Sequence, residues 1–494
     1  MKIMFYYSAF ENLGIEYLSA VLKQSGHKTR LLFDPGLFND PFLSIKPLAK
    51  IFNWEKKLLR EFTQYNPGLV AFSVTSSTYL AALDFSKKLK KITKIKIVFG
   101  GIHASAVPEV VIKDDAVDYL IVGEAEEALL ELVEALENNK PINSIKNLWY
   151  KDRYKIFNNS LRDYITDLDK LPFPDKDLYY DQIPEYRSGY TIITRRGCPN
   201  HCAYCHNSLW HKLYKDYDSE IVRYRGVDNV ITELKQAKKK YNFKRVRIND
   251  EIFTLNEGWL KEFSAMYKKY INRPMFCFVS PHTVNEKTVE CLKAMNCYQV
   301  CMGVQTLNEE KNRILLNRNQ TNNQVKQAIK LFREYKIRCV VDNIIGLPGE
   351  KEEDLLQMAR FYNNNRPDRI CIFWLIYFPG TKIIDAGLEK EVLNQKMLEE
   401  IKTNPQATAN TIYSLLHERG KNKYYILLLL IHFLPKNIID FIIKKRLFEL
   451  FSLLNPSLIE IPFTMIARDR LDIVRRRYYS RYIKYGIKKL FLVG

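Results

Sequence analysis

The sequence predicts an α/β fold in two parts, followed by a helical and basic region. Short apolar segments alternate with amphipathic helical segments over residues 1–140 and again over 188–390, and this alternation stops after about residue 390. Buried parallel strands give continuous apolar runs, and the helices between them show an apolar period of 3.6 residues. We therefore expect a doubly wound, Rossmann-like domain at 1–140, a connector at 141–187, a partial (β/α)6 barrel of the TIM type at 188–390 and a mostly helical region at 391–494.

The first 140 residues contain five expected strands that alternate with helices. The segment Gly14-Gln24 shows the helical pattern, with Ile15, Leu18, Val21 and Leu22 on one face. Doubly wound sheets bind ligands at the carboxyl ends of their strands, where glycines let a bulky ligand approach the backbone. The expected strands are Lys2-Tyr7, Thr29-Phe33, Leu69-Val74, Lys96-Phe99 and Tyr119-Val122.

The second α/β part follows a proline-rich stretch in the connector. Leu171-Pro172-Phe173-Pro174-Asp175 is expected to be extended, because a proline disfavours the helical conformation of the residue before it. Six strand–helix units then follow, and barrels of this kind carry their chemistry on the loops after the strands. The expected strands are Tyr190-Thr194, Arg245-Ile248, Phe276-Ser280, Gln299-Val304, Arg338-Ile345 and Arg369-Tyr377.

The C-terminal region concentrates positive charge. The formal net charge of the chain is +20, and residues 401–494 hold 17 Lys/Arg against 6 Asp/Glu. Apolar helices beside basic clusters either form a packed cap over the barrel mouth or lie in a membrane interface. The run Arg475-Arg476-Arg477-Tyr478-Tyr479 could contact phosphates, but no recognised nucleic-acid module is present, so nucleic acid is not an expected partner. The apolar stretches are shorter than a membrane-spanning helix requires.

A cysteine-rich loop is the strongest chemical signal. Cys198, Cys202 and Cys205 follow a C-x3-C-x2-C spacing, which can bring three thiolates to one iron–sulfur cluster. Closed [4Fe–4S] clusters usually have four cysteine ligands, so three in one loop indicate an iron left open for a small molecule. Two other interpretations remain open: a structural zinc held with His201 or His206, and a disulfide. Because Met1-Tyr7 has the pattern of a strand and not of a signal peptide, we expect a reducing, cytoplasmic compartment.

This loop resembles the radical S-adenosylmethionine (SAM) superfamily, whose signature is C-x3-C-x-aromatic-C with an aromatic residue, here Tyr204, before the last cysteine. The resemblance implies that Cys198, Cys202 and Cys205 bind a [4Fe–4S] cluster, that Tyr204 packs against the cluster or SAM, and that the free iron binds SAM. It also implies a SAM site formed by strand-end residues, with a substrate contact from His282 or His206 as a further possibility. The implied SAM residues are Asp250, Glu251, Gln305, Gly346 and Gly349, the last two in a turn that includes Glu350.

The N-terminal part resembles the cobalamin (B12)-binding domain that precedes many radical SAM enzymes. The matching segments are Gly14-Ile15-Glu16-Tyr17-Leu18, Ser73-Val74-Thr75, Gly100-Gly101-Ile102-His103 and Gly123-Glu124-Ala125-Glu126. The resemblance implies that Ser73, Thr75, Gly100 and Gly101 line the pocket of the cobalamin nucleotide tail. The D-x-H-x-x-G loop is absent, so a histidine from that loop does not coordinate cobalt.

Together these resemblances imply a cobalamin-dependent radical SAM enzyme. Such an enzyme cleaves SAM reductively to a 5′-deoxyadenosyl radical, and we expect it to methylate an unactivated carbon of a small-molecule or lipid substrate, with flavodoxin or ferredoxin as electron donor. Two alternatives remain: a cyclisation or rearrangement without methyl transfer, and a non-catalytic cobalamin or cluster sensor. A methylthiotransferase is disfavoured, because it would use cysteines in the N-terminal domain and the first cysteine of this chain is Cys198.

Overall fold

The computed structural model describes residues 1–40, 45–152, 155–216, 220–404, 420–454 and 473–491. Two main β-sheets organise these residues, and helices pack against both of them. Most buried apolar side chains of the two sheets belong to one continuous core, and Phe276, Cys301 and Val340 of the barrel strands form a separate cluster. The predicted α/β fold, with a Rossmann-like sheet followed by a six-stranded parallel sheet, is confirmed.

The N-terminal sheet has seven strands in the order β2-β1-β3-β4-β5-β6-β7. The first five are parallel, and β6 and β7 extend the sheet with antiparallel pairs. These last two strands come from residues that we expected to form a connector. The strands are β1 (Lys2–Ser8), β2 (Lys28–Asp34), β3 (Leu69–Ser73), β4 (Lys96–Gly100), β5 (Tyr119–Ile121), β6 (Leu148–Asp152) and β7 (Lys155–Asn158).

The helices of this domain follow from its apolar periodicity. In the first helix the Asn12 side chain caps the N-terminus by accepting from the backbone N–H of Ile15, and Ile15 and Leu22 face the core. The helices are α1 (Leu13–Gln24), α2 (Lys46–Ile51), α3 (Glu55–Tyr65), α4 (Tyr79–Ile92), α5 (Ile102–Ala106), α6 (Pro108–Val111) and α7 (Glu126–Glu137).

The second sheet is an open barrel of six parallel strands in the order β15-β14-β13-β12-β11-β8. A short antiparallel hairpin, β9 with β10, flanks the cysteine loop. The six strands correspond in order to the six predicted ones. The strands are β8 (Gly189–Ile192), β9 (Arg195–Arg196), β10 (Arg223–Tyr224), β11 (Arg245–Ile248), β12 (Met275–Val279), β13 (Cys297–Gln305), β14 (Arg338–Ile345) and β15 (Arg369–Trp374).

Most of the helices around this barrel lie between its strands and bury an apolar face. In one of them, the side chains of Thr321 and Gln324 form a reciprocal capping box, which fixes where the helix begins. The helices are α8 (Asp177–Tyr180), α9 (Asn207–Leu213), α10 (Val227–Tyr241), α11 (Glu257–Tyr270), α12 (Glu286–Ala294), α13 (Glu309–Ile314), α14 (Asn322–Glu334) and α15 (Glu352–Asn364).

The C-terminal region contacts three parts of the molecule. Helices α16 (Ile383–Glu389) and α17 (Gln395–Thr403) pack beside the cysteine loop, where the Ile383 N–H donates to the Ala203 carbonyl at 2.9 Å. Helices α18 (Asn422–Leu430) and α19 (Lys436–Lys444) pack on the barrel helix α15. Helix α20 (Ile473–Phe491) returns to the N-terminal domain.

Helix α20 is fixed by buried ion pairs. Arg477 pairs with Glu11, and Arg481 pairs with Asp40 at 2.5 Å. Arg477 is therefore not available for the phosphate contact considered for the Arg475-Arg477 run, and the side chains of Arg475 and Arg476 lie outside the described ones. Among the helices that the structure describes, we find none with the length and apolarity to cross a membrane.

Candidate active site

The cysteine loop runs from β9 to α9 at the carboxyl end of β8. Cys198 and Cys202 are buried, and Cys205 is half-buried. Gly197 precedes the loop with φ of +88°, and a Cβ atom there would lie 1.8 Å from the Ile221 carbonyl oxygen, so only glycine fits. The loop is fixed at its centre, because the Ala203 N–H donates to the Leu316 carbonyl at 3.0 Å.

The chemistry of the three thiols fits a metal cluster. Burial, together with the neighbouring Cys202 and Cys198, raises the pKa of Cys205 to about 12, although a backbone hydrogen bond from Asn207 acts in the opposite direction. Burial also raises the pKa of Cys198. Two thiols with raised pKa values become thiolates only when a cation compensates their charge. Among the described side chains, no group of three or more His, Cys, Asp or Glu is placed to hold a metal ion.

The two histidines considered as zinc ligands make other contacts. His201 is exposed and stacks on His211 with ring centroids 3.7 Å apart, and His211 Nε2 lies 2.8 Å from the Cys198 carbonyl. His206 stacks on Phe378 at 4.2 Å. Neither of these ring contacts involves a cysteine sulfur.

Arg318 is a site residue that the sequence analysis missed. Its guanidinium donates to Cys202 Sγ at 3.6 Å, to Tyr204 Oη at 3.1 Å and to the Gly303 carbonyl at 2.8 Å. A cation beside a cluster cysteine compensates the negative charge of its thiolate. The only sequence signal was an arginine in the loop that follows β13 and α13.

Asp250 and Glu251 play different parts although they are neighbours. Asp250 is fully buried, and it accepts hydrogen bonds from the Thr194 N–H at 2.7 Å and from the Thr194 hydroxyl. It therefore ties the end of β11 to the end of β8. Glu251 is partly exposed, lies 4.0 Å from Arg195 and is close enough to the thiols of Cys198 and Cys205 to raise their pKa. Of the two, Glu251 is the carboxylate that faces the loop.

The other predicted SAM residues lie at the ends of β13 and β14. Gln305 has φ of +70° at an irregularity in the pairing of β13 with β14. Gly346 opens a turn in which its N–H donates to Glu350 Oε2 at 2.9 Å, and the same carboxylate pairs with Lys421 at 3.2 Å. Glu350 is thus engaged by its own turn and by the C-terminal region. Gly346 and Gly349 both have positive φ in this turn, +83° and +66°.

An open cavity lies beside the cysteine loop. His282, which bonds to Ser280 at 2.9 Å, contributes to its wall together with Arg318. The cavity is shallow and open to solvent, and it is lined by Asn200, Ser280, His282, Arg318, Asn319 and Gln320. Polar groups from three different loops therefore converge next to Cys202.

The predicted cobalamin residues lie together at the carboxyl edge of the N-terminal sheet. Ser73 and Gly100 are paired across β3 and β4, and the Val74 N–H donates to the Gly100 carbonyl at 2.8 Å. Thr75 bonds to Ser77 and Thr78 at 3.0 and 3.1 Å. Gly101 has φ of +96°, and a Cβ atom there would lie 2.8 Å from both the nitrogen and the oxygen of Val74.

We predict that Gly101→Ala destabilises the N-terminal domain by at least about 2 kcal/mol, because it combines a strained φ with a clash against backbone that cannot move away. Gly26→Ala is the matched control: its φ is +83°, but a Cβ atom there meets nothing within 4 Å. Urea unfolding should show a clearly larger decrease in the free energy of unfolding for Gly101→Ala than for Gly26→Ala. An equal decrease in the free energy of unfolding for the two variants would mean that the clash with Val74 does not destabilise the domain.

Comparison with known proteins identifies the two domains. Residues 192–362 match the family model of the Radical SAM superfamily, and residues 6–133 match that of the B12 binding domain. The chain is a radical SAM protein with a B12-binding domain. The predicted superfamily and its N-terminal partner domain are confirmed.

Curated relatives of this radical SAM protein span most of its length. It is 26% identical to an uncharacterized methyltransferase of Pyrococcus horikoshii, over 77% of this chain and 79% of that protein. It is 22% identical to the cytidylyl-2-hydroxyethylphosphonate methyltransferase of Streptomyces wedmorensis, over 78% of each. An anaerobic magnesium-protoporphyrin IX monomethyl ester cyclase of Rubrivivax gelatinosus is 24% identical, over 77% of this chain and 68% of that protein.

Two solved structures share the fold. The radical SAM methyltransferase TsrM from Kitasatospora setae, with cobalamin and a [4Fe–4S] cluster bound, has a TM-score of 0.63 at 17% identity, over 77% of this chain and 76% of that one. The cobalamin-dependent SAM radical enzyme OxsB, with aqua-cobalamin and SAM bound, has a TM-score of 0.67 at 13% identity, over 100% of this chain and 84% of that one. The arrangement of both domains is therefore that of known cobalamin-dependent radical SAM folds.

A buried ionic clamp joins the B12-binding domain to the radical SAM domain. Glu124, after β5, accepts from Arg223 at 2.8 and 3.0 Å and from Arg196 at 3.2 Å. Glu126 pairs with Arg196 at 2.5 Å. Since Arg196 comes two residues before Cys198, the Gly123-Glu126 motif anchors the loop after β5 to the start of the cysteine loop.

Proposed function

We propose that this protein is a cobalamin-dependent radical SAM enzyme that methylates an unactivated carbon of a small-molecule or lipid substrate. The observation that carries this proposal is the direct attachment of the three-thiol loop to the carboxyl edge of a B12-binding sheet, through Glu124, Glu126 and Arg196. Methyl transfer from cobalamin to a carbon requires the two cofactor sites to face each other. The methyltransferases among its relatives and structural neighbours support the same reaction class.

The residues of the chain fit three cofactors. Cys198, Cys202 and Cys205 would hold three irons of a [4Fe–4S] cluster. The SAM carboxylate suits the Arg318 fork, and the SAM ammonium suits Glu251. Ser73, Thr75, Gly100 and Gly101 would line the cobalamin nucleotide pocket.

When bound, these cofactors supply reductive cleavage of a carbon–sulfur bond and a methyl carrier. The chain's own residues supply position and charge. Arg318 compensates the charge at Cys202, and Thr194 with Asp250 fixes the strand ends that present the loop. The Glu124 clamp fixes the distance between the two domains.

The products of SAM turnover test the proposal. Anaerobically reduced protein incubated with SAM and hydroxocobalamin should form both 5′-deoxyadenosine and S-adenosylhomocysteine. Formation of 5′-deoxyadenosine alone would favour cyclisation or rearrangement, the second candidate, which the similarity to the Rubrivivax gelatinosus cyclase supports. Formation of neither product would favour a sensor and contradict the proposal.

We predict that Arg318→Met weakens SAM binding by about tenfold to a hundredfold, because a charge-assisted hydrogen bond contributes about 1.5–3 kcal/mol. Arg318→Lys should recover part of the loss, since lysine keeps the charge but not the planar fork. Isothermal titration of the anaerobically reconstituted protein with SAM measures the effect. Arg313→Met, at an exposed arginine of α13, is the control, and an Arg318→Met affinity equal to that of the control would contradict the assignment.

Two partners belong to the proposal. The reductant is proposed to be a flavodoxin or ferredoxin in the cytoplasm, supplying electrons to the cluster. A peripheral membrane contact is proposed for the C-terminal region, where Phe441 and Leu450 are 52% and 64% exposed near Lys444 and Lys445. Flotation of the protein with anionic vesicles tests it: we expect Phe441→Ser to reduce binding, and no flotation of the wild-type protein would contradict it.

A further inference from the structure

The inner wall of the barrel carries a carboxylate that has no part in the site described above. Asp342 lies in β14, and its two sequence neighbours both face the outer helices. Val341 belongs to the main core, and Asn343 accepts a hydrogen bond from the Tyr362 hydroxyl of α15 at 2.7 Å. Because successive side chains of a strand point to opposite faces, Asp342 points to the inside of the barrel.

Two cysteines of the neighbouring strands donate to this carboxylate. Cys301 of β13 donates from Sγ to Asp342 Oδ2 at 3.0 Å. Cys371 of β15 is the register partner of Asp342 and forms a second side-chain hydrogen bond with it. Thiols are weak hydrogen-bond donors. Both side-chain donors that the structure describes for this carboxylate are therefore weak ones.

The surroundings of Asp342 disfavour its negative charge. Burial raises the pKa of Asp342 above its ordinary value, although the two thiols and the charges of Arg369 and Arg247 act in the opposite direction. The Arg247 guanidinium lies over the rings of Phe276 and Phe278, at 4.6 and 4.9 Å from their centroids. A cation or a strong donor placed beside Asp342 would therefore stabilise the buried carboxylate.

This carboxylate lies one strand away from the group that binds the cysteine loop. Gly303 of β13 is the register partner of Asp342, and its carbonyl accepts from the Arg318 guanidinium at 2.8 Å. The same guanidinium donates to Cys202 Sγ at 3.6 Å. A molecule bound against Asp342 would thus lie inside the barrel, on the side where the proposed reaction takes place.

The wall around Asp342 is apolar, and a second acceptor lies deeper in it. The apolar side chains of this wall are Phe276, Phe278, Cys301 and Val340. Phe373, on the same face of β15 as Cys371, is 49% exposed, so this part of the wall is open. Gln299 is two residues before Cys301 on the same face of β13, and its Oε1 atom is buried without a partner among the described residues. Such a wall fits a ligand that carries hydrogen-bond donors on an apolar body.

We propose that Asp342 binds a cationic amine of the substrate, while Phe278 and Phe373 pack against the apolar body that carries the amine. This inference rests on the proposed function, since it names the substrate class of the same reaction. An ammonium group forms a charge-assisted hydrogen bond with a carboxylate, roughly twice as strong as a neutral one. An anionic group in the same place would bury a second negative charge beside Asp342, which is unfavourable.

Two probes of matched shape and opposite charge test this assignment. Phenethylamine and hydrocinnamate carry an ammonium and a carboxylate on the same phenylethyl body. Each is titrated calorimetrically into the full chain, with the cluster reconstituted without oxygen and SAM present. We expect the wild-type protein to bind the amine more tightly than the carboxylate. Asp342→Asn should weaken amine binding by about tenfold to a hundredfold, the effect of one charge-assisted hydrogen bond, without weakening carboxylate binding.

Variants at two other positions separate this contact from a loss of folding. Asp228→Asn neutralises an exposed aspartate in the first turn of α10 and should leave both affinities unchanged. Cys301→Ala removes a thiol that competes for the carboxylate, so this variant should bind the amine at least as tightly as the wild-type protein. The charge preference of the wild type and the Cys301→Ala affinity decide the matter even where Asp342→Asn folds poorly.

Three results would overturn the inference. Equal amine affinity of the wild type and a folded Asp342→Asn would show that Asp342 does not bind the amine. A wild-type preference for hydrocinnamate would assign the inside of the barrel to an anionic substrate. Binding of neither probe would refute the substrate class, and the proposed function would still be judged separately, by whether the wild type forms 5′-deoxyadenosine and S-adenosylhomocysteine.

Discussion

Replacing Cys202 with alanine is expected to reduce the cleavage of SAM to background. Cys202 is buried at the centre of the loop, and its thiol receives the Arg318 guanidinium at 3.6 Å. With only three thiols in the loop, the loss of one leaves two ligands for a cluster that already lacks a fourth cysteine. The readout is 5′-deoxyadenosine formed by the anaerobically reduced protein, together with its iron and sulfide content.

A second cysteine provides the control for this experiment. Cys291 is a half-buried cysteine in α12, away from the loop. Cys291→Ala should keep the cluster and the full rate of SAM cleavage. If Cys202→Ala still cleaves SAM at the rate of Cys291→Ala, the three-thiol assignment is wrong.

The largest loss of stability is expected for Glu124→Ala. This substitution leaves Arg223 buried with only the Ile165 carbonyl, at 2.7 Å, as a described hydrogen-bond acceptor. Removing one partner of a buried ion pair lowers the free energy of unfolding by about 3–5 kcal/mol, because the remaining buried charge is no longer compensated. Unfolding by urea, followed by circular dichroism, measures the loss.

A neighbouring glutamate is the matched control. Glu127 is an exposed residue in the first turn of α7, three residues after Glu124, and it pairs with Arg162 at 2.6 Å. Exposed pairs contribute about 0–1 kcal/mol, so Glu127→Ala should change stability little. A difference of less than about 1 kcal/mol between Glu124→Ala and Glu127→Ala would show that the clamp does not hold the domains together.

The ion pairs of Glu124 also predict that the stability of the folded protein depends on pH. Burial alone would raise the pKa of Glu124, but Arg223 and Arg196 outweigh burial and hold this pKa below its ordinary value. A depressed pKa in the folded state gives stability that is present above the unfolded-state pKa and is lost as the pH falls through the folded-state pKa. The stability difference between wild type and Glu124→Gln should therefore be constant near neutral pH and shrink in acid.

The sequence was sufficient for the main architecture because apolar periodicity and strand-end glycines are local signals. The six barrel strands and the five parallel strands of the first sheet were predicted close to their observed bounds. Strands β6 and β7 were missed as part of that sheet, since their pairing is antiparallel and β7 is exposed. The return of α20 to Glu11 and Asp40 depends on contacts more than 430 residues apart, which no local pattern encodes.

The site was predictable only where one segment carries the chemistry. The three cysteines of the loop, Cys198, Cys202 and Cys205, lie within eight residues, so the motif could be recognised directly from the sequence. The roles of Asp250 and Glu251 could not be distinguished from the sequence, because which carboxylate faces the loop depends on the hydrogen bond that Asp250 accepts from the Thr194 N–H. Arg318 was not identified from the sequence, because it comes close to Cys202 only in the folded chain.

Electron–nuclear double resonance of the reduced protein, reconstituted without oxygen, is the most direct test of the central claim that one iron is left for SAM. With SAM labelled by ¹⁵N at its amino group, we predict a coupling between this nitrogen and the cluster, in protein that contains about four irons and four sulfides per chain. Zinc in place of iron, or a cluster signal without coupling to the label, would contradict the account.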